Sequence, residues 1–248
     1  MKQLMQEQFS RTRLLLGSSA MEKLANARVA IFGVGGVGGY VAEALARSGI
    51  GNFDLIDSDI ISISNINRQI IATVKTIGKY KVDVMKERIL DINPDASVQA
   101  YKCFFLPGSE ENFPFNEYSY VVDAVDTVTA KIGIILKAKE AGRPVISSMG
   151  AGNKLEASQF KVADIYNTKI CPLAKVMRRE LKKRGIDSLK VVYSEEIPVT
   201  HKYVECQADT REKAGEKPEG RPVPGSVAFV PSAAGLIIAG EVVKDLAV

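Results

Sequence analysis

Histidine is almost missing from this sequence: His201 is the only one. A histidine-rich metal centre is thereby excluded, and a Ser-His-Asp triad would have to use that single imidazole. A lone histidine in a polar stretch is expected on the surface. Cysteine is nearly as scarce. Cys103, Cys171 and Cys206 lie far apart and form no Cys-x-x-Cys pair, which argues against a disulfide framework and against a zinc site. No zinc is expected, and the compartment implied is the reducing cytoplasm. No apolar run reaches membrane-spanning length, and residues 1–13 are polar, without a signal-peptide core, so no membrane span is expected. The charge excess is small, +4 from 33 basic and 29 acidic residues. Composition alone therefore does not announce a nucleic-acid binder; only a local cluster could.

What is present is the makings of a sizeable core: 46% of the 248 residues are hydrophobic and 25% charged, globular values. One domain over 1–248 is expected, with an N-terminal helical arm (1–27), a nucleotide-binding core (28–152) and a C-terminal elaboration (153–248). Short β-branched runs alternate with helix-period segments. Strands are expected at Arg28–Phe32, Asn52–Asp57, Ser97–Cys103, Tyr118–Asp123 and Pro144–Ser148. Helices are expected at Ser18–Ala27, Gly36–Ser48, Tyr80–Ile92 and Thr127–Ala141. This alternation predicts a Rossmann-like α/β fold, a mostly parallel sheet with helices on both faces. Beyond Gly152 the pattern changes to an antiparallel extension. Gln159–Ile165 reads as an antiparallel strand, Pro172–Arg184 as a basic helix and Ser232–Val243 as a final apolar helix. Residues 201–224, rich in charge, Gly and Pro, read as a mobile loop.

Between the first strand and the next helix stands Gly33-Val34-Gly35-Gly36-Val37-Gly38. Glycines at these places let the backbone approach phosphates, and the helix N-terminus offers free N–H groups and a positive dipole end. Asp57 closes the following strand, where a carboxylate accepts hydrogen bonds from ribose hydroxyls. This fingerprint leaves NAD, FAD and ATP open. The next residues favour ATP: Asp59, then Asn65, Arg68 and Gln69 within Ser64–Gln69, then Lys81. A dehydrogenase does not need an Arg and a Lys converging there, whereas a triphosphate does. Arg68 can bind phosphate oxygens in bidentate fashion and Lys81 can act as a point charge. Asp126, just past a strand end, suits Mg²⁺, a hard oxygen-seeking ion. Asp123 is expected at the same edge, and Thr127 is counted with the nucleotide-binding residues.

In order and spacing, Gly33 to Gly38, Asp57-x-Asp59, Ser64 to Gln69, Lys81 and Asp123-x-x-Asp126 resemble the ubiquitin-activating-type (ThiF/MoeB/HesA-type) adenylating enzymes. The resemblance implies binding of Mg-ATP and adenylation of a carboxylate with release of pyrophosphate. It implies that Gly36 contacts the nucleotide and Asp57 the ribose, that Asn65, Arg68, Gln69 and Lys81 handle phosphates, and that Asp126 handles the metal. It also implies a homodimer in which an arginine of the N-terminal segment reaches the partner's ATP; Arg11 matches that position and Arg13 is its rival.

Two branches differ in the carboxylate they activate. One adenylates the C-terminal glycine of a ubiquitin-like sulfur-carrier protein and often carries paired Cys-x-x-Cys motifs, which are lacking here. It would bring a sulfur-carrier or cysteine-desulfurase-type protein partner. The whole chain is more similar to the tRNA threonylcarbamoyladenosine dehydratases. The similarity includes Phe9-Ser10-Arg11-Thr12, Asn65 to Gln69, Pro224-Gly225-Ser226 and Pro231 to Gly235. That likeness implies activation of the threonyl carboxylate of a modified adenosine in tRNA, followed by cyclisation with loss of AMP. A local basic cluster agrees: Lys175, Arg178, Arg179, Lys182, Lys183 and Arg184 share one expected helix. With Leu173, Val176, Met177 and Leu181 as its buried stripe, the basic residues would face phosphates. Cys171 heads that helix, where a thiol pKa is lowered, and Cys206 lies in the loop, while Cys103 is expected to be buried. Cyclisation needs no thiol, so no cysteine is expected to be catalytic.

Overall fold

The computed structural model describes residues 8–106, 108, 113–199 and 224–248. Seven strands form one sheet: Arg28–Phe32 (β1), Asn52–Ile56 (β2), Ser97–Tyr101 (β3), Tyr120–Asp123 (β4), Val145–Ser148 (β5), Phe160–Asp164 (β6) and Lys190–Ser194 (β7). Their spatial order is β3-β2-β1-β4-β5-β7-β6. Every pairing is parallel except that of β6 with β7 at one edge. The sheet is thus mostly parallel with an antiparallel pair at its end, as the alternation of patterns predicts.

The helices are Ser10–Leu16 (α1), Ser18–Asn26 (α2), Gly38–Arg47 (α3), Lys81–Ile92 (α4), Val128–Glu140 (α5), Pro172–Lys182 (α6) and Phe229–Ala247 (α7). Along β1 the side chains alternate between two cores. Val29 and Ile31 join the apolar faces of α2, α3, α4 and α7, while Ala30 and Phe32 join those of α5 and α6. A strand covered on both faces has no polar side to show, which explains its continuous apolar run.

The strand order reverses at β1. The chain leaves β1 toward β2 and β3 on one side, then returns to β4 and β5 on the other. The loops after β1 and β4 therefore diverge, and a crevice opens at their carboxyl ends. This is where open parallel sheets bind ligands.

Several expectations shift. β7 has no counterpart among the expected strands, although Lys190-Val191-Val192-Tyr193-Ser194 is a short run of strand-forming residues. Helix α7 starts at Phe229, ahead of the expected Ser232, because Pro231 fits in a first turn that needs no N–H partner. Helix α6 ends at Lys182, and its buried stripe is Ala174, Met177 and Leu181. Val176 is exposed and Leu173 only half-buried, so the stripe is narrower than expected. In α1, no side chain is buried, and Leu14 and Leu15 are both 87% exposed. Among the described residues no helix is long and apolar enough to cross a membrane. Of the expected loop 201–224, residues 201–223 lie outside the described residues, and with them His201 and Cys206.

Candidate active site

The crevice is a cavity of about 390 Å³ lined by residues from the glycine loop, the ends of β2 and β4, the 65–69 turn, α4 and the 224–231 segment. Its floor is the turn after β1. Gly38 is packed so tightly that an added Cβ would stand 1.8 Å from the Gly33 carbonyl oxygen, and Gly33 itself has φ +89°. Only glycine meets both demands, and the result is the helix N-terminus of α3 set close behind the loop. Gly33, Gly35 and Gly36 line the cavity, whereas Gly38 serves the packing beneath it.

Asp57, just past β2, holds this loop in place. Its Oδ2 accepts the Val34 N–H at 2.7 Å and its Oδ1 the Asp59 N–H at 2.9 Å. Each oxygen keeps a further lone pair for a ligand hydroxyl. Burial pushes the Asp57 pKa up, against the pull of Lys81 and of the two backbone N–H groups. Folding therefore favours its protonated form. Its stabilising contribution is full below the ordinary carboxylate range and is lost as pH climbs through the raised folded value.

Lys81, the first residue of α4, is 6% exposed. Its Nζ lies 2.6 Å from Asp59 Oδ2 and 3.9 Å from Asp57 Oδ2. The two acidic residues thus fix the lysine at the cavity wall, where its charge is weakly screened.

Across from Lys81, Ser62 caps a short turn of helix, Ile63–Asn65, and Asn65 Oδ1 accepts the Ser62 N–H at 3.1 Å. Arg68 follows. Its Nη1 donates to Ser64 O and to Asn67 Oδ1, both at 2.9 Å, which braces the guanidinium. Gln69 is buried, yet its Oε1 has no hydrogen-bond partner among the described residues. An unsatisfied buried acceptor costs about 1–3 kcal/mol, so this amide beside the glycine loop is poised for a donor that a bound molecule or water would supply.

Asp126 lines the cavity after β4, its Oδ1 accepting a 3.3 Å bond from Thr127 Oγ1. Thr127 caps α5 and is not itself a lining residue. Asp123 is not at the ligand edge as expected: it is fully buried. Its Oδ2 accepts from Lys131 Nζ at 3.0 Å and from Ser147 Oγ at 2.5 Å, and its Oδ1 accepts the Val125 N–H at 3.3 Å. This closed ion pair, with neither side chain exposed, supports the 124–126 turn from behind.

Arg11 and Arg13 sit on the exposed helix α1 and are not among the residues lining this cavity. Cys103, expected to be buried, is half-buried and lines the cavity beside Phe104 and Phe105. Cys171 is 2% exposed, which removes it as an accessible nucleophile despite its place at the head of α6. The basic helix is less free than its sequence suggests. Arg178 Nη1 donates to Thr168 O at 2.9 Å. Glu180 is held low, to about 2, by Arg184, Lys183 and Arg179, which share its carboxylate. Of the four residues expected to meet phosphates, Lys182 alone has no side-chain hydrogen bond or ion pair among the described residues.

The fold and this cavity define a Rossmann-type α/β protein whose glycine loop, Arg68 and Lys81 line one crevice at the ligand-binding edge of the sheet. The ThiF family model matches residues 9–247, and the chain belongs to the ThiF family. It is 44% identical over 247 residues to the tRNA threonylcarbamoyladenosine dehydratase of Bacillus subtilis, covering 98% of this chain and 95% of that one. The Escherichia coli protein of the same name is 39% identical over 176 residues, covering 71% of this chain and 66% of that one. Crystal structures of the E. coli enzyme align with TM-scores of 0.85 for the AMP complex and 0.84 for the ATP complex. Their sequence identities are 30% and 32%, with 97% of this chain covered in both and 94% and 93% of those chains.

Proposed function

We propose that this protein is an ATP-dependent tRNA dehydratase that adenylates the carboxylate of threonylcarbamoyladenosine and lets the activated nucleoside cyclise. The observation that carries this reading is the single cavity holding Asp57, Arg68, Lys81 and Asp126 around the glycine loop, in a chain alike end to end to the B. subtilis dehydratase.

The chemistry follows from the groups present. Gly33, Gly35 and Gly36 admit the phosphates, and Asp57 and Asp59 hold the ribose end and Lys81. Asn65, Arg68, Gln69 and Lys81 offer donors and charge to the phosphate oxygens as the substrate carboxylate attacks the α-phosphorus and pyrophosphate leaves. A nitrogen or oxygen of the same nucleoside then attacks the activated carbonyl and AMP departs, so the net loss is one water. The described residues contain no group of three or more His, Cys, Asp or Glu that would hold a metal unaided. Asp126 alone fits Mg²⁺, which takes one or two carboxylates together with substrate phosphates. Bound there it would neutralise phosphate charge.

The working unit in this reading is a cytoplasmic homodimer with Arg11 reaching the partner's ATP, and the exposed Leu14 and Leu15 of α1 are the surface that a partner would cover. Mixed dimers of an Arg11→Ala subunit with an Asp126→Ala subunit are expected to recover about a quarter to half of the activity of wild-type dimers. No recovery above either parent would place Arg11 outside the partner's site.

The tRNA face is assigned to α6, through Lys182 and Lys183 with Arg178 and Arg179 around them. Reversing Lys182 and Lys183 to Glu is expected to weaken tRNA binding and to reduce the slope of log affinity against log salt by about 1–2. An unchanged slope would reject this face.

The deciding assay is ATP-dependent pyrophosphate and AMP release with threonylcarbamoyladenosine-bearing tRNA, with the nucleoside followed by mass. Loss of one water from the nucleoside is expected. Release only with a sulfur-carrier protein ending in Gly-Gly would keep the adenylation site and replace the substrate and partner.

A further inference from the structure

The geometry points to Asn153 as a positioning residue that fixes the acceptor-side wall of the cavity. The residue is backbone-strained: it has φ +57°, and it shares a positive φ with only one other non-glycine among the described residues, Ile170. Asn tolerates this left-handed conformation better than most side chains. The conformation is put to use in three hydrogen bonds. The Asn153 N–H donates to Gly225 O at 2.8 Å, and its Oδ1 accepts the Gly225 N–H at 2.6 Å. Its carbonyl accepts the Val199 N–H at 2.8 Å. One residue therefore joins the two described chain ends that flank residues 200–223.

The neighbours of these bonds belong to the cavity. Gly152, Pro224 and Ser226 all line it. Gly152 and Pro224 touch so closely that an added Cβ on the glycine would lie 2.8 Å from Pro224 Cβ. Ser226 O accepts from Asn67 Nδ2 at 2.9 Å, and Asn67 Oδ1 accepts from Arg68 Nη1 at 2.9 Å. A continuous line of bonds and one peptide step thus runs from Asn153 through Gly225 and Ser226 to Asn67 and Arg68. The guanidinium keeps its own bond to Ser64 O at 2.9 Å, so a change at Asn153 acts on the wall at Gly225 and Ser226 rather than on Arg68.

Sheet order says which part of the reaction this wall serves. Asp57 follows β2, the glycine loop follows β1, Asp126 follows β4, and Ala151 and Gly152 follow β5, three places along from β2. At about 4.8 Å per strand, the ends of β2 and β5 are roughly 14 Å apart across the sheet, so the two loops flank opposite sides of the crevice. The nucleotide is accounted for by the first three of these loops, which leaves the β5 flank to the molecule whose carboxylate is activated. This assignment rests on the dehydratase reading above.

Asn153→Gly keeps the backbone conformation and removes the side-chain acceptor, whereas Asn153→Asp restores an acceptor. The experiment measures ATP affinity, kcat and KM for tRNA, and amide hydrogen exchange at Val199 and Gly225. In Asn153→Gly we expect ATP affinity within twofold of wild type, kcat/KM for tRNA lower by about tenfold or more, and faster exchange at Gly225. Asn153→Asp is expected to recover most of the loss. Equal losses of ATP affinity and tRNA turnover, or unchanged turnover, would overturn the assignment. If the wild-type protein makes no AMP with modified tRNA, the dehydratase reading fails by itself. The wall is then judged by exchange: faster exchange at Gly225 with ATP affinity preserved supports it, and unchanged exchange overturns it.

Discussion

Arg68→Ala is expected to lower ATP-dependent AMP formation by about 10²–10³-fold while leaving the melting temperature close to that of wild type. The size follows from removing one preorganised donor that meets charge developing at a phosphate, worth about 3–4 kcal/mol of barrier. The small effect on stability follows from its surroundings: Arg68 is only half-buried, and its bonds go to Ser64 O and Asn67 Oδ1 on the same turn. Arg68→Lys separates charge from shape. A lysine retains the charge and loses the planar fork, so it should recover only part of the rate. Full activity in Arg68→Ala, measured by AMP release under saturating ATP, would remove the residue from phosphate handling. A matching fall in melting temperature would instead assign it to bracing the 64–69 turn, through which Asn67 reaches Ser226.

The parallel sheet and its crevice are legible in the sequence because both depend on local signals: short, continuously apolar β-branched runs, helix-period apolar faces, and glycines between the first strand and helix. Asp57, Lys81 and Asp126 are legible for the same reason, since each stands next to a strand end or helix start that the pattern reveals; Arg68, in the 65–69 turn, is legible only through its spacing from these and the family resemblance. Thr127 and Gly38 are near misses. Both lie beside the cavity in sequence, but one caps α5 and the other packs under the loop. The burial of Asp123 is not legible, because a carboxylate at the carboxyl end of a strand reads as a ligand until its partner, Lys131 on the next helix, is placed. The role of Glu180 is hidden in a similar way. It is one acidic residue among many basic ones, and only helix geometry brings Arg179, Lys183 and Arg184 to its carboxylate. Cys103, Phe104 and Phe105 reach the cavity from β3, two strands from β1, a distance no local pattern encodes.

Lys131→Met is expected to destabilise the protein by about 3–5 kcal/mol. The side chain is fully buried, and its Nζ meets Asp123 Oδ2 at 3.0 Å, with Ser147 Oγ on the same oxygen. Removing the ammonium leaves a buried carboxylate with one hydroxyl and one backbone N–H as partners, which cannot balance its charge. A loss of that size lowers the melting temperature of a chain this long by roughly 10 °C or more. Asp123→Asn/Lys131→Met removes both charges, keeps Oδ1 for the Val125 N–H, turns the second position into an amide N–H that can donate to the Ser147 oxygen, and is expected to recover most of the lost stability. The same double variant tests why a costly pair is kept under an active site. Asp123 fixes the 124–126 turn through Val125, and Asp126 is the next residue. If the pair only fills space, the double variant will match wild type in both stability and AMP release. If its charge holds Asp126 in register, stability will return while AMP release stays low and its dependence on magnesium concentration shifts upward. A double-mutant cycle in chemical denaturation, with coupling near zero, would show instead that Lys131 and Asp123 do not act as a pair.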